Sequence, residues 1–322
     1  MPPVMLLVLA APADPRLKML ARLPEKTRIA LGDRAEAFRD AAREAEVLLS
    51  WFTPRALLEQ VFAAAPRLRW VHSSAAGVER LLFPALVESC VILTNSRGIF
   101  ASALAEFVLG AVMFFAKDFR RMVRSQEAGA WDCFDVEEVA GKTLGIVGYG
   151  DIGRTVAERA RAFGMKAVAV RRRPELSRDD TLLETIYPVT ALGELLARAD
   201  YVVLTAPLTP ETHGLMGEAE LRAMKPTAVL INIGRGPLVA EATLIHALEE
   251  RWIRGAALDV FDQEPLPAGH PFYRLDNVLL SAHCADHTPG WMDRALELFL
   301  DNFERFRRGE PLMNIVNKRL GY

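Results

Sequence analysis

The sequence predicts an α/β protein made of two doubly wound parallel-sheet domains, and three observations carry that reading. Short apolar runs alternate with helical patterns along most of the chain. The alternation is interrupted once, by a segment from Ala101 to about Glu127 that reads as one long bridging helix. A length of 322 residues is more than one hydrophobic core ordinarily organises, which favours two.

The first domain opens with a strand over 4–9. "MPPVMLLVLAAPAD" also has the short apolar run and small residues of a secretory leader, but it lacks the preceding positive charge and is too short to span a bilayer. Strands over 47–49, 70–72 and 91–94 follow, with a helix over 54–64. After Gly141 the alternation restarts with strand candidates over 144–147, 167–170, 201–205, 228–233, 256–260 and 278–280, separated by helical segments such as 241–251. Six strands are what a doubly wound dinucleotide-binding sheet requires. In the tail, Leu296, Leu300 and Phe303 share helical spacing over 291–306. That helix is expected to pack back on the first domain, which makes the first domain discontinuous: residues 1–100 plus 288–322, with 101–287 forming the other.

Composition narrows the partners. A formal net charge of -2 leaves no basic field for nucleic acid. Cys90, Cys133 and Cys284 are too few and too scattered for a disulfide framework or a thiolate zinc site, and they fit a reducing cytoplasm. The most apolar later stretch, 103–116, contains Glu106 and is too short to span, so no membrane partner is expected.

"LGIVGYGDIGRTVAERARAFG" spaces Gly148, Gly150 and Gly153 as G-x-G-x-x-G, with Asp151 and Ile152 between the last two. The pattern follows an apolar strand and opens a segment whose Val156, Ala157, Ala160 and Phe163 share one helical face. Such a loop turns tightly, lets backbone approach a pyrophosphate and lets helix pack on strand, so a Rossmann dinucleotide-binding domain is expected. At the end of the next strand "AVAVRRRP" carries Arg171, Arg172 and Arg173 where a carboxylate would otherwise meet the adenosine ribose. Planar donor forks there suit the 2′-phosphate of NADP, with NAD as the alternative and a solvated basic turn as the bland reading.

Downstream, "INIGRGPLV", "LDVFDQEPLP" and "SAHCADHTPG" place Arg235, Glu264 and His283 just past three strands, where an open parallel sheet forms its ligand crevice. With "GKTLGIVGYGDIG" and "TAPLTPETHGLM", these motifs resemble, in order and over nearly the whole chain, the D-isomer-specific 2-hydroxyacid dehydrogenase family, relatives of glyoxylate/hydroxypyruvate reductases and D-lactate dehydrogenases. The resemblance implies a flavodoxin-like substrate domain beside the Rossmann domain, a homodimer built through the cofactor domains, and hydride transfer between NADP(H) and a 2-keto acid/D-2-hydroxy acid pair. It implies that Arg235 binds the substrate carboxylate, that His283 exchanges a proton with the keto oxygen, and that Glu264 holds the imidazole.

The same resemblance puts Ala76 and Gly77 of "HSSAAGVERL" at the substrate carboxylate, Asp259 near the nicotinamide carboxamide, and Ala206, Pro207, Thr212 and Ile233 beside the cofactor. Asp259 capping a turn is the alternative. Phe107 stands where many relatives carry histidine, and Cys284, Asp286 and His287 replace small residues. "HCADH" also invites a metal reading, but its residues mark a strand end and loop rather than a helical H-E-x-x-H, so no metal is expected. Trp51, Phe52 and Phe100 are candidates for the pocket wall or for core. Two rivals share the fold: formate or phosphite dehydrogenases, and corepressor-like modules that use the dinucleotide for assembly.

Overall fold

The computed structural model describes residues 3–322. The chain divides into two compact units, one comprising the chain up to Ile99 together with Pro289–Tyr322, the other Phe100–Thr288.

The first unit begins with β1 (Met5–Leu9), β2 (Arg28–Gly32), β3 (Val47–Ser50), α1 (Arg55–Ala64), β4 (Trp70–Ser73), α2 (Pro84–Glu88) and β5 (Ile92–Thr94). The strands form one parallel sheet in the order β2-β1-β3-β4-β5. β1, β3 and β4 are buried along their whole length, as strands covered on both faces must be. β2 was not expected: it is an edge strand whose first two residues, Arg28 and Ile29, are exposed, so it carries neither an apolar run nor strict alternation.

Under the sheet's carboxyl edge lies a small polar network. Thr94 Oγ1 accepts from Trp70 Nε1 at 2.8 Å and meets His72 Nδ1 at 2.7 Å. His72 is fully buried, and that burial pushes its pKa down to about 3, so the ring is neutral.

The second unit contains α3 (Ala101–Ala116), α4 (Phe119–Glu127), β6 (Thr143–Val147), α5 (Asp151–Ala162), β7 (Lys166–Val170), β8 (Thr185–Tyr187), α6 (Leu192–Arg198), β9 (Tyr201–Leu204), α7 (Glu218–Ala223), β10 (Val229–Asn232), α8 (Glu241–Glu249), β11 (Gly255–Leu258) and β12 (Val278–Leu280). Its sheet is parallel throughout, in the order β12-β11-β10-β9-β6-β7-β8. Strand order reverses between β6 and β9, which opens a crevice beyond their carboxyl ends.

Two expectations are corrected here. The sheet has seven strands rather than six, because β8 is a three-residue edge strand with every residue only half-buried. The single helix over 101–127 is two: Asp118 adopts φ 49 and ψ 53, and its carboxylate accepts from Arg121 N at 3.3 Å to start α4. A left-handed aspartate ends one helix and caps the next with no proline or glycine to announce it. Among the described residues no helix is long and apolar enough to cross a membrane.

The chain closes with α9 (Trp291–Arg308), which belongs to the first unit. Its Ala295, Leu296, Phe299, Leu300 and Phe303 form one buried stripe against Leu6, Val8, Leu49 and Trp70. Trp70 stacks on Phe299 with ring centroids 5.4 Å apart.

Because His72 binds a proton when unfolded but not when folded, its contribution to stability is complete above the ordinary imidazole pKa of 6.5 and is lost as pH falls from there towards about 3. The full loss is on the order of 4 kcal/mol. Denaturant unfolding at about pH 7 and about pH 4.5 is expected to show a flatter pH dependence for His72→Gln than for the wild type, by roughly 2–3 kcal/mol. Equal slopes would show that the ring does not stay neutral.

Candidate active site

The glycine loop is built by three different constraints. Gly148 follows β6 with φ +99, and a Cβ there would lie 2.5 Å from Ala206 N, so both the dihedral and the approach of the loop after β9 require glycine. A Cβ on Gly153 would lie 2.6 Å from Gly148 O, which lets α5 pack tightly on β6. Gly150 caps α5, and a Cβ on it would meet nothing within 4 Å. Absence of a side chain at Gly150 serves no internal packing need; it keeps open the space in front of the first N–H groups of a twelve-residue helix. Asp151 and Ile152 form that first turn, exposed and half-buried respectively. Unpaired donors at the positive end of the helix dipole fit a pyrophosphate.

Ala206 is buried against this loop, while Pro207 is exposed. Thr212 Oγ1 donates to Pro207 O at 2.7 Å and accepts from Thr209 N at 2.8 Å, so it shapes its own loop. Ile233, just past β10, is buried. The arginines fan out at the carboxyl end of β7. Arg171 is half-buried, donates N–H to Tyr187 O at 3.2 Å and bonds Ser177 Oγ through its guanidinium. Arg172 and Arg173 are exposed, with Arg172 3.8 Å from Glu211.

Arg235 leaves β10 in extended conformation, φ −144 and ψ 147. Asn232 fixes its loop, donating Nδ2 to Arg235 O at 2.9 Å and accepting at Oδ1 from Gly234 N at 3.1 Å. A Cβ on Gly236 would lie 2.0 Å from Phe261 C, which seats the Arg235 loop directly on the loop after β11. In that second loop Glu264 Oε1 accepts from Phe261 N at 3.1 Å, and Oε2 meets His283 Nδ1 at 2.9 Å.

His283 has φ +51, a left-handed backbone unusual for a residue with a side chain. Asp259 holds it: Asp259 O accepts from His283 N at 2.8 Å, and Asp259 Oδ1 accepts from Cys284 N at 3.0 Å and Ala285 N at 3.1 Å. The carboxylate expected beside the nicotinamide thus caps the turn that carries the histidine. With Nδ1 engaged by Glu264, the half-exposed ring presents Nε2 for proton exchange.

Asp286 lies 3.7 Å from His287, and Ser281 Oγ lies 3.4 Å from Cys284 Sγ. Burial pushes the Asp286 carboxyl up; His287 and His283 pull it down, and the Asp259 charge adds to the rise. Among the described residues no set of three His, Cys, Asp or Glu side chains is placed to hold a metal ion.

In the first unit, Ala76 and Gly77 lie half-buried in the loop after β4, with Ala76 O accepting from Asn95 Nδ2 at 2.5 Å. Of the three aromatic candidates, Trp51 and Phe100 are core, with Trp51 Nε1 bonded to Asp14 Oδ2 at 2.9 Å. Phe52 is 48% exposed, at φ +52, and its N–H donates to Ser74 Oγ at 3.1 Å, beside the Ala76 loop.

Sequence reading missed one cluster. Asp180, on the crossover between β7 and β8, accepts from Tyr149 Oη at 3.0 Å and Arg154 Nε at 3.1 Å through Oδ2, and from Leu182 N at 3.1 Å through Oδ1. Only Tyr149 lies in the glycine motif, and no local pattern pairs it with a residue so far along the chain.

A reversed parallel sheet with a glycine loop at its switch point and a histidine–carboxylate pair at the same carboxyl edge defines a nicotinamide dinucleotide-dependent oxidoreductase. Residues 109–285 match the model of the D-isomer specific 2-hydroxyacid dehydrogenase NAD binding domain, and the chain belongs to that family. It is 37% identical over 267 residues, 81% of this chain and 80% of the other, to a glyoxylate reductase of Korarchaeum cryptofilum. A crystal structure of a D-isomer specific 2-hydroxyacid dehydrogenase from Xanthobacter autotrophicus Py2, in complex with NADPH and MES, superposes with TM-score 0.82 at 31% identity, covering 100% of both chains. An NADPH-dependent glyoxylate/hydroxypyruvate reductase from Sinorhizobium meliloti, solved with NADP and sulfate, gives TM-score 0.84 at 26% identity over 100% of both chains.

The glycine geometry separates binding from folding. Gly150→Ala is expected to leave stability within about 0.5 kcal/mol while weakening dinucleotide affinity at least about tenfold, because the new methyl occupies only the open space. Gly153→Ala is expected to cost about 1–3 kcal/mol of stability by overpacking. Thermal unfolding and fluorescence titration with NADPH measure both; a Gly150→Ala protein that binds normally would contradict the placement of the phosphates.

Proposed function

We propose that this protein reduces a small 2-keto acid, of the glyoxylate or hydroxypyruvate class, to the D-2-hydroxy acid with NADPH. The observation that carries the reading is the 2.9 Å His283–Glu264 pair, set beside the Arg235 loop by the seating of Gly236 on Phe261. The names of its relatives, and the NADPH and NADP complexes of its structural neighbours, support the substrate class and cofactor.

Gly150, Asp151, Ile152 and Gly153 hold the pyrophosphate at the start of α5, and Arg171, Arg172 and Arg173 meet the 2′-phosphate. When bound, the reduced nicotinamide supplies hydride to the carbonyl carbon. Arg235 offers two parallel donors to the planar substrate carboxylate and withdraws electron density from the adjacent carbonyl. His283 donates the Nε2 proton to the carbonyl oxygen as negative charge develops there. Glu264 fixes the ring's tautomer and orientation through Nδ1, and neutralises part of the charge of the imidazolium. Asp259 contributes by holding the turn from below.

The functional unit is a homodimer formed through the second unit. α4 has no buried residue, and on and after it Phe119 (41%), Met122 (41%), Val123 (52%) and Trp131 (100%) are exposed. These exposed large apolar side chains support an interface between copies on this part of the chain.

Purified protein is expected to oxidise NADPH with glyoxylate and hydroxypyruvate, and to do so more efficiently than NADH at limiting cofactor. His283→Ala is expected to lower kcat by about 10³-fold with NADPH affinity unchanged. A near-normal rate would remove the histidine from the chemistry. Light scattering is expected to give a dimer for the wild type and a monomer for Val123→Asp/Trp131→Ser; a dimeric double variant would move the interface elsewhere.

A further inference from the structure

The crossover between β7 and β8 is folded back on the glycine loop through Asp180, which the proposed reaction does not use. From the arginine end, Arg171 binds Ser177 Oγ. Three residues further on, Asp180 takes the Tyr149 hydroxyl, the Arg154 guanidinium and its own Leu182 N–H. Tyr149 is 4% exposed and sits between Gly148 and Gly150, while Arg154 lies on the first turns of α5 with its N–H on Gly150 O at 2.9 Å. One carboxylate therefore joins three pieces of chain: the glycine loop, the start of α5, and the segment that follows the three arginines.

Burial works against the Asp180 charge, but the Leu182 N–H, the tyrosine and Arg154 outweigh it and hold the carboxyl below its ordinary range. The latch is thus closed and ionised at neutral pH. Burial, followed by the contact with Asp180, pushes the Tyr149 hydroxyl well above its ordinary range, so it stays a donor.

Arginine side chains on an unanchored crossover would have to be ordered each time an anion arrives, and that ordering entropy subtracts from affinity. Anchoring the crossover at Ser177 and Asp180 removes part of the cost beforehand. We propose that Asp180, with Tyr149, is a positioning residue for cofactor choice: it pins the β7–β8 crossover to the glycine loop, so that Arg171, Arg172 and Arg173 are preorganised for a phosphate on the adenosine ribose. This rests on the assignment of those arginines to NADP.

The sign of the effect separates positioning from simple charge. A carboxylate acting only as a neighbouring negative charge would repel the 2′-phosphate, and its removal would tighten NADPH binding. A latch predicts the reverse. Steady-state kinetics with NADPH and with NADH, on the full-length protein, are compared for the wild type, Asp180→Ala, Tyr149→Phe and the double variant.

Asp180→Ala is expected to raise KM for NADPH about tenfold, with kcat at saturating NADPH and kcat/KM for NADH within about twofold of wild type. Tyr149→Phe, which removes one oxygen from a buried ring, is expected to shift the NADPH KM in the same direction by less and serves alone should Asp180→Ala fail to fold. The double variant is expected to be no worse than Asp180→Ala, because the two groups act through one bond. An unchanged or lowered NADPH KM, or equal losses with NADPH and NADH, would overturn the latch. A wild type that uses both cofactors equally would instead overturn the NADP assignment on which it rests, before any variant is made.

Discussion

His283 stands with its backbone in a conformation that residues with side chains avoid, at a cost of about 1–3 kcal/mol, and the proposed proton transfer depends on its being held there. Asp259 does the holding with both its carbonyl and its carboxylate, gripping the N–H groups of His283, Cys284 and Ala285 in succession. The charge of Asp259 is buried, but the two backbone donors on Oδ1 offset part of its desolvation. The turn aims Nδ1 at Glu264, whose other oxygen is fixed by Phe261 N–H. Imidazole orientation is thus set from two sides, by the backbone beneath and the carboxylate beside it.

Parallel topology explains why such distant residues meet. β6, β7, β9, β10, β11 and β12 all run the same way, so Gly148, Arg171, Ala206, Arg235, Glu264 and His283 leave the sheet at one edge. Close backbone contacts then convert a common edge into a common site. Gly148 lets the loop after β9 approach, and Gly236 lets the Arg235 loop rest on Phe261. Each position lacks a side chain because another backbone occupies the place a Cβ would take.

Much of this was legible in the sequence, for identifiable reasons. Strands buried on both faces, such as β1, β6 and β9, write themselves as continuous apolar runs and were found within about a residue. Edge strands do not: β2 begins with arginine and β8 has only three residues, and both were missed. The break between α3 and α4 was hidden because a left-handed aspartate supplied it. The motifs point to Arg235, Glu264 and His283, and the structure pairs the last two; a turn cap at Asp259 was the alternative the sequence offered, and the structure shows that cap, but which N–H groups it takes depends on backbone dihedrals that no motif writes. Asp180 and Tyr149 lie far apart in sequence and carry no shared pattern, so only the folded chain brings them together.

The structure of a ternary complex with NADPH and oxamate, a non-reducible analogue of a 2-keto acid, tests the central claim most directly. The account predicts His283 Nε2 within hydrogen-bond reach of the analogue's carbonyl oxygen, Nδ1 still on Glu264, and the Arg235 guanidinium paired with the analogue's carboxylate. An imidazole turned away from that oxygen, or a carboxylate bound at a site remote from Arg235, would contradict it.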